Sequence, residues 1–133
     1  MTELELKAKT KAIALNVGRM AEKLPANKVN NTYVGQILRS SASIGANYRA
    51  ACRAKSTRDF IHKLQIVEEE TDETMYFLEL LAAFNEKNKA EMRAIYKETE
   101  IVLKIIVASI KTSKKKLDDA VKSNQKTKIQ NIK

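Results

Sequence analysis

The sequence predicts an all-α fold, an antiparallel up-down-up-down four-helix bundle. Three observations lead there. Helix formers dominate, while glycine (3) and proline (1) are scarce, so a β fold would lack its turn chemistry. Apolar residues recur at alternating spacings of three and four over four long stretches. The connections between those stretches are short, which makes successive helices antiparallel neighbours. The 133 residues suit one domain, and 44% hydrophobic content is enough for a core.

The first helix is expected over Thr2 to Lys23, with the stripe Leu6, Ile13, Val17, Met20, Ala21 and Leu24. It stops at Leu24-Pro25, because proline disfavours a helical residue before it. The second begins near Asn31-Thr32, either of which can cap it. Its stripe is Val34, Ile37, Leu38, Ser41, Ile44, Gly45, Tyr48, Ala51 and Cys52. Its centre is crowded with small residues, Ser40 to Ser43 and Gly45-Ala46, which suit close helix approach. Those serines can return their hydroxyls to carbonyls one turn back. Packing explains this segment better than a ligand site.

The third helix starts after Ser56-Thr57, where Ser56 and Asp59 have the spacing of a capping box with Asp in place of Glu. It carries Phe60, Leu64, Val67, Thr71, Met75, Leu78, Leu81 and Ala82, and ends near Phe84-Asn85. The fourth starts at Asn88, with Glu91 as a second capping box, and carries Met92, Ile95, Thr99, Val102, Ile106 and Ile110, with Leu117 at its end. Residues 1–122 form the bundle domain. The tail 123–133, SNQKTKIQNIK, is polar and basic, without a sustained apolar stripe, and is expected to be flexible.

Helix four has more apolar surface than one bundle seam needs. Ile101, Ile105 and Ala108 lie off its main stripe. A helix apolar over a wide arc is covered on more than one side, so a homo-oligomer is expected.

The net charge is +9, and its placement is uneven. The predicted topology brings the start of helix one, the turn between helices two and three, and the end of helix four to one end. Lys7, Lys9 and Lys11 lie in the first of these. Arg49, Arg53, Lys55, Arg58 and Lys63 surround the second, with Asp59 against them. Lys111, Lys114, Lys115 and Lys116 lie in the third, followed by Lys122, Lys126, Lys128 and Lys133. Helix three carries an acidic run, Glu68 to Glu70, Asp72 and Glu73. Arg49 and Arg53 share a face one turn apart, and a guanidinium matches two phosphate oxygens. A cluster of this kind suits an RNA or DNA backbone. Two ordinary explanations compete: lysines offset the macrodipole at a helix C-terminus, and the arginines can pair with Glu69 or Glu73. Tyr33, Tyr48, Tyr76 and Tyr96 are spread over three helices and Trp is absent, so no base-stacking platform is evident.

Catalytic chemistry finds little support. Di-metal bundles need Glu-x-x-His on two helices, whereas His62 is the only histidine and residue 59 is Asp. One cysteine excludes an internal disulfide and, with one histidine, the usual zinc clusters. Arg49, Arg53 and Lys55 could lower the thiol pKa of Cys52, but no second Cys or nearby His supports it as a nucleophile. Phosphate-cradling glycine motifs are absent. The expectation is a protein that is not an enzyme and takes no cofactor or metal. With no signal-peptide core and no apolar run long enough to span a bilayer, it is expected in the cytoplasm without a membrane partner.

The second and third helices carry a longer pattern. Leu38-Arg39-Ser40-Ser41-Ala42-Ser43-Ile44-Gly45-Ala46-Asn47 is followed by Arg-Ala-Lys-Ser at 53–56. Asp59-Phe60-Ile61-x-x-Leu64, Glu-Thr-Asp-Glu-Thr at 70–74 and Leu78 come after it. Over residues 4–117 the chain resembles the bacterial four-helix bundle proteins encoded in 23S rRNA intervening sequences, the ribosomal S23-type proteins. It is also similar to the accessory proteins of diversity-generating retroelements. Many members have Asn-Ile-Ala-Glu-Gly where this chain has Asn47-Tyr48-Arg49-Ala50-Ala51, so any role of that Glu does not transfer. The resemblance implies a homopentamer with a basic, nucleic-acid-binding surface and no known catalytic residues. A scaffold for an acidic protein partner is the alternative reading.

Overall fold

A computed structural model describes residues 1–132; Lys133 lies outside them. Four helices follow one another: α1 over Glu3–Lys23, α2 over Lys28–Cys52, α3 over Thr57–Phe84 and α4 over Lys89–Ile132. A 3₁₀ turn, Glu86–Asn88, joins α3 to α4. Each helix packs on its neighbours in sequence and α1 closes on α4, which makes the expected antiparallel bundle. No described helix is long and apolar enough to cross a membrane.

The core is built from the anticipated stripes. Ile13, Val17, Met20, Ile37, Ile44, Leu64, Val67, Leu78, Leu81, Met92, Val102 and Ile106 are all almost fully buried. Removing apolar surface of this kind from water is the main drive to fold. Leu38 is the exception, 42% exposed beside the stripe it was expected to join. Ile61 is buried where the spacing singled out Phe60, which is only half-buried.

The helix starts follow side-chain caps. Thr2 and Glu5 close a full capping box at α1. At α2 the cap is Asn27, whose side chain accepts from the Asn30 N–H at 2.8 Å. The helix therefore begins one turn before Asn31-Thr32. Ser56 caps α3 by accepting from the Asp59 N–H, as the spacing implied. The reciprocal arm lands one residue early, on the Lys55 N–H. The second expected box does not form. Asn88 closes the 3₁₀ turn onto the Asn85 carbonyl, and Glu91 turns to Lys23 on α1 at 3.0 Å.

Polar contacts set the spacing of the helices. Thr74 of α3 donates to buried Ser40 of α2 at 2.9 Å. Where α1 crosses α2, a Cβ on Gly45 would stand 3.2 Å from Thr10 Oγ1. Opposite this crossing lies a reciprocal amide pair. Asn30 donates to Asn85 at 2.9 Å, Asn85 donates back at 2.8 Å, and each also donates to a backbone carbonyl. No buried side-chain nitrogen or oxygen among the described residues lacks a partner.

The C-terminal segment departs from expectation. It does not leave α4 as irregular chain but continues it, giving a helix of 44 residues. Leu117 is the last residue packed against the core, and every residue from Asp118 to Ile132 is exposed. At 1.5 Å per residue this arm adds about 22 Å beyond the bundle. Helix-favouring composition and the absence of Pro or Gly beyond Gly45 leave nothing in the sequence to stop the helix earlier.

Candidate nucleic-acid interface

The topology brings three distant segments to one end. A cavity of about 490 Å³ there is lined by Glu3 of α1, by Tyr48, Ala51, Cys52, Ala54 and Lys55 around the end of α2, by Ser56, Thr57 and Phe60 at the start of α3, and by Ser113 and Lys116 of α4. A second hollow of about 390 Å³ lies beside it, between α1 and α2. Lys7, Lys11 and Arg49 line it over a floor of Ala42, Gly45 and Ala46. Small residues in α2 thus bring the helices close and leave room for basic side chains at the surface.

Arg49, Arg53, Lys55, Arg58, Lys111, Lys114, Lys115 and Lys116 are all exposed. None of them has an ion-pair partner among the described residues. Other cations of the same end are engaged. Lys7 pairs with Glu3 at 3.3 Å, Lys9 with Glu98 at 2.9 Å and Lys63 with Asp59 at 2.8 Å. Of the eight, the structure places Lys55 and Lys116 on the larger cavity and Arg49 on the smaller. The other five stand on the outer surface, Arg53 as the C-cap of α2.

Both ordinary explanations of the charge lose ground. Of the two carboxylates expected for the arginines, Glu73 is taken by Arg39, which also reaches Glu70, and Glu69 pairs with neither Arg49 nor Arg53 among the described residues. Arg39 was singled out only as part of the family pattern, not as their partner. Its ion pairs hold its guanidinium above the usual value, the Glu73 hydrogen bond contributing most. Lys114 to Lys116 do not sit at a helix C-terminus, since α4 runs on to Ile132. The macrodipole therefore offers them little, because its field fades within the last turn.

The cavity floor carries no formal charge. Burial pushes the Cys52 thiol up, and the neighbouring Glu3 carboxylate adds to this. Arg49, Arg53 and Lys55 thus do not make it a thiolate. Burial raises the Tyr48 hydroxyl as well, and the neighbouring Cys52 thiol adds to this. The Cys52 thiol and the Lys7 ammonium hold the Glu3 carboxyl below its ordinary range. Among the described residues no three of His, Cys, Asp and Glu converge in a cluster able to hold a metal.

The expected oligomer face is a surface of α4. Ile101 is 42% exposed, Ala108 is exposed and Ile105 is half-buried. Ile105 and Ala108 share a hollow with Met1, Phe60 and Thr112. An aromatic group also appears that sequence spacing did not reveal. Tyr33 of α2 meets both Phe77 and Phe84 of α3 at a tilt, with ring centroids 6.2 Å apart, and Tyr76 meets Phe77 edge-on at 5.7 Å. It lies on the α2–α3 face, away from the basic end. Residues 44 to 51 apart joined it, and only the antiparallel pairing of α2 and α3 could have signalled that.

None of the curated proteins compared with the chain matches it. A solved structure is similar at 34% identity and a TM-score of 0.72, over 84% of this chain and 99% of its own. It is a protein of unknown function from the S23 ribosomal protein family of Bacteroides thetaiotaomicron VPI-5482. The family model described as 23S rRNA-intervening sequence protein matches residues 2–108. The lysines from Lys111 onward lie beyond that match. Three whole helices and the first part of the fourth lie within it, and on that extent the chain belongs to the 23S rRNA-intervening sequence protein family.

Proposed function

We propose that this chain is a non-catalytic, homo-oligomeric cytoplasmic protein that binds the backbone of RNA or DNA through its basic end. One observation carries the reading: eight exposed cations gather at one end of the bundle and none is used in an ion pair among the described residues. Side chains committed to stability would be expected to find carboxylates, as Arg39 does. Backbone binding by such a cluster is salt-dependent and indifferent to sequence. The exposed Ile101 and Ala108, with half-buried Ile105 between them, support self-association, and family resemblance points to five copies. A ring would repeat the patch, so weak contacts would add.

The test is a titration of labelled structured RNA and duplex DNA at two salt concentrations. Binding that weakens steeply with salt is expected. The Arg49→Glu/Arg53→Glu protein should lose most of it, and a truncation after Leu117, which leaves all eight cations in place, should weaken it through slower association. No binding near physiological salt sinks the reading and leaves an acidic protein partner as the better candidate.

A further inference from the structure

Cations alone would satisfy a nucleic-acid backbone, yet the basic end also holds a cavity of about 490 Å³ with an apolar floor. That size falls within the range of small-molecule sites. The floor is formed by Tyr48, Ala51, Cys52 and Phe60. Phe60 is half-buried and lines both this cavity and the neighbouring hollow of Ile105 and Ala108. Tyr48 and Cys52 keep their protons, so the floor stays neutral.

The rim has the opposite character. Lys55 and Lys116 stand on two sides of it with no ion-pair partner among the described residues. Ser56 and Thr57 open α3 there, and the Ser56 side chain takes up the Asp59 N–H. The N–H groups one and two residues into the helix remain directed outward, a geometry that favours an anion. Glu3 is the one carboxylate on the rim, and Lys7 neutralises it from 3.3 Å.

We propose that this cavity takes one unpaired nucleotide of the bound strand. Its base lies against Phe60, and the adjoining phosphates reach Lys55, Lys116 and the first turn of α3. The inference rests on the backbone-binding reading and adds a preference to it. Charge alone favours duplex, because a duplex releases more counterions per phosphate contact than a single strand does. An apolar floor reverses that order, since a paired base cannot enter and an unpaired one gains stacking.

The experiment compares a short single-stranded RNA with a duplex of equal phosphate number, using the full chain at fixed salt. A 2-aminopurine in the single strand reports on the base itself. The single strand should bind about tenfold more tightly, a stacking-sized effect, and the probe should change its fluorescence on binding. Filling the cavity with Ala54→Phe should abolish the preference and the probe signal while duplex binding is kept. Phe60→Ala should weaken the single strand alone. Circular dichroism and the retained duplex affinity show that each variant is folded. Equal binding of the two forms, unchanged by Ala54→Phe, overturns the cavity proposal and leaves the backbone reading standing. Failure of both forms to bind overturns both.

Discussion

Gly45 sets how closely α1 and α2 approach. A methyl group there would meet Thr10 Oγ1 at 3.2 Å, and Thr10 is buried and donates to the Lys7 carbonyl at 3.0 Å. The Cβ positions of Gly18 and Gly35 have nothing within 4 Å. Alanine in a helix interior is favoured over glycine by about 1 kcal/mol. Gly18→Ala and Gly35→Ala should therefore each raise stability by roughly 0.5–1 kcal/mol in urea unfolding. Gly45→Ala should gain clearly less, because the contact offsets the propensity. An equal gain at all three sites would show that the α1–α2 crossing is looser than described.

Asp59 makes a different residue-scale prediction. The Lys63 ammonium first, and the Lys55 N–H second, hold its carboxyl below the ordinary value. A carboxyl lowered by folding contributes stability above its unfolded pKa, and that contribution disappears as pH falls through the folded one. Asp59→Asn should lower the melting temperature at pH 7. The gap from the parent protein should close as pH drops below the carboxylate range. A gap that persists in acid would assign the effect to capping geometry rather than to charge.

At the scale of elements, periodicity served well and helix ends less so. The α4 stripe from Met92 to Ile110 is buried as its spacing implied, because only one face of that helix meets the core. Starts depend on which of several nearby Asn, Ser or Thr residues folds back, and at α2 it is Asn27 rather than the expected Asn31 or Thr32. The Asn30–Asn85 pair was illegible for a related reason: two polar residues 55 apart look like loop until the fold joins them. The end of α4 was misjudged because lack of an apolar stripe was read as lack of helix. An exposed helix needs no stripe, only helix-forming residues and no breaker. The arm beyond Leu117 buries nothing, so truncation there should leave the melting temperature unchanged within error while lowering helical circular dichroism. A large loss of stability would mean that the arm packs on the bundle or on another subunit.

For the whole molecule, the sequence revealed that basic segments meet at one end, because topology follows from helix order and short loops. It did not reveal which cations would remain unengaged. That depended on Arg39 rather than Arg49 or Arg53 reaching the helix-three carboxylates, a matter of facing and not of composition. The apolar surface around Ile101 and Ile105 makes a prediction at this scale. Ile101→Glu/Ala108→Glu should convert the proposed oligomer to monomers in sedimentation velocity without loss of helical content. A parent protein that is already monomeric would remove the ring and its multiplied contacts from the functional reading.

The arm of α4 has a further consequence, and it is kinetic. Lys122, Lys126 and Lys128 lie on the exposed stretch that reaches about 22 Å past the packed bundle. That distance exceeds the Debye length of about 8 Å at physiological ionic strength, so these charges meet an approaching polyanion before the bundle's own charges are felt. Long-range attraction of this kind acts on the association rate, while close contacts govern dissociation. The arm should therefore behave as an antenna: its removal would slow capture, and a ligand once seated would leave no faster.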